Sequence, residues 1–528
     1  MDAPFDWSLP FASKRAPVFA RNMVATSQPL AVQAGLRALA AGGNAVDAAV
    51  AAAITLVVVE PNNNGVGGDA FAMVWDGMQM HALNASGRAP SALTLERFRG
   101  ESTMPSLGWD TVTVPGTVSA WVDLSRRFGR LSFEDLFESA VRYARDGYLV
   151  SPIIAEQWEM VAGLFGASDD FRAAFLPQGC APRPGERFAL PELAETLEEI
   201  ARSNGESFYR GSLAARIAAH ARENGAVLTE DDLAAHRNDW VEPLSIDYRG
   251  WTVHEMPPNT QGIAVLVTLG ILEHLGVEAS SSENSEGLHL QVEAMKIALS
   301  ETASLVGDPA ATGDLASILL APERLAAHAR VLAESPARCL KTETRESGDT
   351  VYLTTADADG MMVSYIQSNY FSFGSGVVVP GTGISLHNRG TCFSLEPGHP
   401  NCLGPQRRPF HTLIPAFLTK DGAAVASFGV MGGPMQAQGH VQVLVRMLAD
   451  GRNPQAAIDA PRWQVFEGRD LGVEDGFAAP IVDELCARGH RVRVLGPTLF
   501  GGAQAIWRLD GGYAGASDPR KDGMAAGY

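Results

Sequence analysis

Two periodicities divide this chain. Pro29 opens a stretch, LAVQAGLRALAAGGN, with apolar residues at helical spacing and a stop at Gly42-Gly43-Asn44. Ala45 to Val59 follows as a second helix, nearly all apolar. A helix that is apolar on every side belongs in a core. The period then changes. Residues 71–84, FAMVWDGMQMHALN, form two apolar runs around Asp76-Gly77. Asp-Gly between such runs predicts a two-residue hairpin turn, because both central positions need positive φ. The device recurs at Asp359-Gly360, at Asp421-Gly422 and near Asp510-Gly511-Gly512. Residues from about 130 to 345 read as mostly helical, with clear periodicity in Leu193 to Ala201, Leu213 to Ala221 and Leu288 to Ser300. The polar stretch 337–350, ARCLKTETRESGDT, reads as a loop. Four antiparallel hairpins with buried helices predict an α+β fold of stacked sheets covered by helices, not a doubly wound parallel sheet.

Composition narrows the function classes. At 528 residues and 46% hydrophobic, the chain can bury a large core, as several domains or one large one. A formal net charge of −19 disfavours nucleic acid and anionic membrane as partners. It says nothing about a small anionic substrate, since a local pocket can be positive. The N-terminus lacks a basic segment followed by an apolar one, so a cytoplasmic location is expected. The apolar run from Ala48 to Val59 is too short to cross a bilayer. Five scattered cysteines without a CxxC pair imply neither a disulfide framework nor a zinc site. There is no HExxH, no Walker loop and no GxSxG elbow, so neither a metal nor a cofactor is expected. Glycines in GVGGDAF (Gly65 to Phe71) and VMGGPM (Val430 to Met435) admit either a close backbone approach to a ligand or a tight turn. Nothing in these patterns singles out Thr350.

Longer segments do. MVATSQPLAVQAGLRALAAGGNAVDAAVAAAITLVVVEPNNNGVGGDAF resembles the N-terminal signature of the γ-glutamyltranspeptidase family. DTVYLTTADADGMMVSYIQSNYFSFGSGVVVPGTGISLHN resembles the start of that family's small subunit. FGVMGGPMQAQGHVQVLVRMLADGRNPQAAIDAPRW resembles its glycine-pair region, and ASDPRKDGMAAGY its C-terminus. The resemblance runs from about Met23 to the end. It implies an N-terminal-nucleophile αββα sandwich, two stacked antiparallel sheets between helix layers. It also implies a proenzyme that cuts itself between Asp349 and Thr350, giving a large subunit of residues 1–349 and a small one of 350–528 that together form one αββα unit. The oligomeric state beyond that pair stays open.

The implied chemistry is that of a nucleophile that carries its own base. A threonine hydroxyl is weak alone. The α-amino group freed at Thr350 has an ordinary pKa of about 7.7 to 8.0, so a useful fraction is unprotonated near neutral pH. Gly432 and Gly433 match the family's glycine pair, whose backbone N–H groups form an oxyanion hole. Thr412 and His411 fall where the family has two adjacent serines near the substrate. Ser368, Asn369 and Tyr370 fall in the region that hydrogen-bonds nucleophile and substrate.

Substrate selection departs from the family. Where glutathione-acting members hold the α-carboxylate with an arginine, this chain reads ASGRAP, with Ser86 at the matching place and Arg88 two residues on. Arg88 is the candidate for that carboxylate, with a plain surface arginine as the competing reading. The family's acidic pair before Phe-Ser is replaced by Thr391 and Cys392. An unpaired substrate ammonium in a closed site is costly. The expected substrate is therefore a small amide carrying a carboxylate but no ammonium. Hydrolysis of oxamate in purine breakdown stands first. Glutathione hydrolysis or transfer, a glutaryl-cephalosporin acylase, and an uncleaved homologue that only binds are the alternatives.

Overall fold

Residues 349–356 and 362–370 form the central hairpin of one seven-stranded sheet. The structure, a computed structural model, describes residues 14–528 apart from 167, 277–280, 283, 334–339 and 341–348. Most of the expected 337–350 loop, with Cys339, therefore lies outside the described residues. The first sheet runs Met524–Gly527, Met23–Thr26, Asp349–Ala356, Met362–Tyr370, Asp69–Trp75, Met80–Ala85, Asp239–Val241. The second runs Val18–Ala20, Gly512–Ser517, Gly502–Leu509, Ala423–Met431, Ala416–Lys420, Trp251–Glu255, Leu244–Tyr248. Every pairing within both sheets is antiparallel.

Side chains alternate across a strand, so a sheet covered on both faces needs apolar residues at every position. The strand Asp69–Trp75 does this from Ala70 onward. Phe71, Met73 and Trp75 pack between the two sheets with Tyr352, Ile366, Phe417 and Ile506. Ala70, Ala72 and Val74 face the other way, into a cluster with Val351, Leu353, Val363 and the helix Ala45–Val59. A third cluster joins the second sheet to the helices Gly262–Leu275, Ser285–Leu305 and Met435–Leu448. Three apolar layers thus separate helix, sheet, sheet and helix.

Local chemistry explains the boundaries. All fifteen residues of Ala45–Val59 are buried, as its nearly complete apolarity requires. Asn44 caps it: its side chain accepts from the N–H groups of Val46 and Asp47, while the Asp47 carboxylate accepts from the Asn44 N–H. The helices expected in the middle region appear at Pro191–Arg202, Ser212–Glu223 and Ser285–Leu305. That region also contains three strands between Asp239 and Glu255, which the helical reading missed. Asp239–Val241 closes the edge of one sheet, and the next two strands close the edge of the other.

All four Asp-Gly sites do join antiparallel strands. Only Asp421-Gly422 has both residues at positive φ, 50° and 78°, in a two-residue turn. At Asp76 the loop spans four residues, and the Asp76 carboxylate accepts from the Met78 and Gln79 N–H groups. That side-chain turn substitutes for left-handed backbone at the aspartate.

Candidate active site

Thr350 is the second residue of its strand and is nearly fully buried. Its neighbour on the adjacent strand is Ser368. The Thr350 hydroxyl donates to Ser368 Oγ at 3.2 Å. Ser368 Oγ donates in turn to the backbone carbonyl of Asp349 at 2.6 Å. The same oxygen accepts from the Tyr370 N–H at 2.7 Å. One hydroxyl thus uses its single proton on the carbonyl just before Thr350 and its lone pairs on Thr350 and Tyr370. The ladder is irregular between Asp349 and Val351, so Thr350 sits at a bulge instead of in regular pairing.

Glycines let the flanking chain come close. A Cβ on Gly67 would lie 2.3 Å from the Ser385 carbonyl, and one on Gly68 2.7 Å from the Ser368 carbonyl. The GVGGDAF glycines are therefore sites of close backbone approach, made against the protein itself. Asn369 donates through Nδ2 to Ser385 Oγ at 3.0 Å.

Gly432 and Gly433 both have positive φ, 118° and 56°, directly after the strand Ala423–Met431. Among the described residues neither N–H donates to another backbone group. The helix Met435–Leu448 starts just beyond, so its positive end adds to those two amides. Gln436 on that helix reaches Thr350 Oγ1 with its Nε2 at 3.5 Å, which places the glycine turn beside the threonine. Gln261 donates to the carbonyls of Gly433 at 3.0 Å and Thr412 at 2.6 Å, fixing the turn against residue 412. A cavity of about 500 Å³ opens here, with Gln261, Tyr370, Cys392, Phe393, Thr412 and Pro434 in its wall.

Asp69 organises the floor. Its Oδ1 accepts from the N–H groups of Gly87 and Gly116, both at 3.1 Å. Its Oδ2 accepts from His411 Nε2 at 3.1 Å and lies 3.5 Å from His387 Nδ1. Burial would raise this carboxyl, but the two imidazoles, the His411 hydrogen bond and the Arg389 charge outweigh it and hold it well below the usual range. Burial pushes His411 down to about 3, with the Arg389 charge acting in the same direction. His411 is therefore neutral near pH 7. Its Nδ1 accepts from the Leu413 N–H, which leaves the proton on Nε2 for Asp69.

The expected site residues thus separate. Tyr370 and Thr412 line the cavity beside Pro434 of the glycine turn, while Thr350, Ser368, Gly432 and Gly433 are linked to them by hydrogen bonds and chain neighbours but form no part of its wall. His411 turns to Asp69. Thr391 donates to the Pro105 carbonyl at 2.9 Å and does not line the cavity. Arg88 does not line it either. It is half exposed and pairs at 3.5 Å with both Asp239 and Asp308, beside a separate small pocket. Asp69, Gln261, Arg389 and Gln436 were missed by sequence reasoning. Asp69 stands inside GVGGDAF, where an acidic residue among close-packed glycines is the one available signal.

Stacked antiparallel sheets between helix layers, with a threonine at the head of a central strand, define an N-terminal-nucleophile αββα sandwich. The Gamma-glutamyltranspeptidase family model matches residues 31–528. The chain belongs to that family, and is a hydrolase or acylase of this class. It is 40% identical to the Glutathione hydrolase-like YwrD proenzyme of Bacillus subtilis, over 96% of this chain and 98% of that one. It is 38% identical to the Oxamate amidohydrolase proenzyme of Klebsiella pneumoniae, over 97% and 99%. Among solved structures, a cephalosporin acylase from Bacillus halodurans matches with a TM-score of 0.95 and 46% identity, covering 100% of this chain and 99% of that one. Among the described residues no helix is long and apolar enough to cross a membrane.

Proposed function

We propose that this chain is a proenzyme that cleaves itself before Thr350 and then hydrolyses a small amide bearing a carboxylate, with oxamate as the first substrate to test. The observation that carries the reading is the Ser368 hydroxyl, hydrogen-bonded at once to the Thr350 hydroxyl and to the Asp349 carbonyl. The donor on that carbonyl polarises the bond to be cut. Thr350 Oγ attacks the Asp349 carbonyl carbon, and its proton passes to the departing Thr350 nitrogen. An ester between Asp349 and Thr350 Oγ results. Water hydrolyses it, leaving the Asp349 carboxylate and a free Thr350 amine. Residues 1–349 and 350–528 become the two subunits.

In the cleaved enzyme the free amine accepts the Thr350 hydroxyl proton as the oxygen attacks the substrate amide. The oxyanion forms against the Gly432 and Gly433 N–H groups. The protonated amine then protonates the leaving nitrogen, which departs as ammonia from a primary amide. Water resolves the acyl-enzyme. No metal or cofactor is needed for any of these steps.

The substrate choice rests on charge. No carboxylate stands at Thr391 or Cys392 to receive an ammonium. An oxamate amidohydrolase and a cephalosporin acylase stand among the similar proteins, both consistent with this choice. The YwrD-like relative keeps glutathione hydrolysis as the second reading. Denaturing electrophoresis tests the cleavage: two bands for the wild type and one for Thr350→Ala. Ammonia release from oxamate, measured beside glutamate release from glutathione, tests the substrate. Turnover of glutathione with none of oxamate overturns the ranking.

A further inference from the structure

Arg389 is fully buried, and among the described residues it has no carboxylate within ion-pair distance. Its Nη1 donates to Thr412 Oγ1 at 3.0 Å. Its guanidinium carbon lies 4.3 Å from the centre of the Tyr370 ring. Among the described residues Nε and Nη2 have no hydrogen-bond partner. These two donors form the side-on edge of the guanidinium, the edge that takes a carboxylate through two parallel hydrogen bonds. A buried cation with that edge unused is costly unless an anion arrives to fill it.

The location fits a substrate anion. Tyr370 and Thr412, the two residues Arg389 touches, are both in the wall of the 500 Å³ cavity. Thr412 is tied through Gln261 to Gly433, so the guanidinium lies behind the same wall as the oxyanion turn. Asp69, whose carboxyl feels the Arg389 charge, already has its oxygens occupied by Gly87, Gly116 and His411. Positions 391 and 392 carry Thr and Cys, and the two carboxylates that are in the cavity wall, Glu396 and Glu467, form no ion pair with Arg389 among the described residues.

Tyr370 covers the guanidinium in the uncut chain and pairs across the ladder with Asp349. It holds a φ of 78°, a strained value for a tyrosine. Cleavage before Thr350 frees Asp349 from that pairing and so removes one of the restraints on the cover.

We propose that Arg389, and not Arg88, binds the carboxylate of the substrate, side-on through Nε and Nη2 at the Tyr370–Thr412 wall. This rests on the amidohydrolase reading above and names the residue that selects the substrate. It separates two jobs on one cavity: the glycine turn receives the amide oxygen, and Arg389 receives the charged end.

The test uses processed wild type, Arg389→Gln and Arg389→Lys. Autocleavage on denaturing gels shows first that each variant folds. Calorimetry then measures binding of oxalate and glutarate against the neutral diamides oxamide and glutaramide. Kinetics compare oxamate and glutaramate with their methyl esters. Arg389→Gln is expected to weaken the carboxylate ligands about 10- to 100-fold, mostly in KM, and to leave the neutral ones within about 2-fold. Arg389→Lys is expected to restore part of the discrimination by keeping the charge. Should Arg389→Gln fail to process, Arg389→Lys carries the test, because losing the planar fork must still weaken carboxylate binding. Carboxylate preference unchanged in the variants overturns the proposal while leaving amide hydrolysis standing. Arg389-dependent binding of glutarate by a wild type that turns over no amide upholds the anchor and removes the function.

Discussion

Ser368 Oγ stands 2.6 Å from the Asp349 carbonyl oxygen, on the strand next to the bond at which we propose cleavage. Its hydroxyl proton points at the oxygen that would take negative charge in the proposed attack by Thr350. Ser368→Ala removes that donor. Losing one such donor costs roughly 10²- to 10³-fold in rate. The precursor should accumulate as a single band that converts over hours, and the rate should be followed on gels. Ser368→Thr keeps a hydroxyl and should recover much of the rate. Equal cleavage rates for Ser368→Ala and wild type would rule out this role.

Gly432 at φ 118° has no room for a side chain: a Cβ would fall 2.9 Å from the Gly501 Cα. Gly432→Ala combines backbone strain with a clash against backbone, so the turn must shift. A displacement of about 1 Å in a positioned donor costs on the order of 10²-fold. The variant is expected to lose kcat by that order, with KM changed little, in steady-state assays on processed enzyme.

Glu60 is fully buried after the apolar helix, accepting from Ser27 Oγ and Asn63 Nδ2, both at 2.6 Å. Burial pushes its carboxyl up to about 7, against the pull of those hydrogen bonds and of Lys521. A folded pKa above the unfolded one means the native state binds the proton more tightly. The stabilising contribution is complete below about 4.5 and fades as pH rises through about 7. Glu60→Gln keeps the neutral shape and should remove this slope. Thermal unfolding from pH 4 to 8 should show the variant gaining on the wild type as pH rises; parallel curves would count against it.

Asp518 and Arg462 form a fully buried pair at 2.6 Å, extended by Arg520 and Glu474. Burial opposes the charge on Asp518, but Arg462, Arg520 and two backbone N–H groups hold its carboxyl down to about 2. Its stabilising contribution is present above 3.8 and lost as pH falls through about 2. Asp518→Ala leaves Arg462 buried without its partner. Removing one member of such a pair costs about 3–5 kcal/mol. Urea unfolding at pH 7 should show that loss, and the difference between variant and wild type should shrink toward pH 2.

The apolar sequence by itself determined the layers. A strand apolar at every position from 70 to 75 can only lie between two covers, and a helix as nearly apolar as 45–59 can only lie inside. Those requirements follow from burial, which periodicity records directly. The short strands between Asp239 and Glu255 escaped notice because three to five residues, most of them only partly buried, are too few to set a period. The candidate site could be proposed from sequence only where motifs are contiguous: Thr350 in its long segment, Gly432 and Gly433 in theirs. What surrounds them was decided by tertiary structure. Ser368 meets Thr350 across a ladder 18 residues later, and Asp69 meets His411 across 342. Arg88 and Arg389 look alike in sequence, both arginines near a motif. Folding gives half-exposed Arg88 two carboxylates, Asp239 and Asp308, and leaves Arg389 buried with an open edge, because chain order does not fix which charges end up within reach of each other.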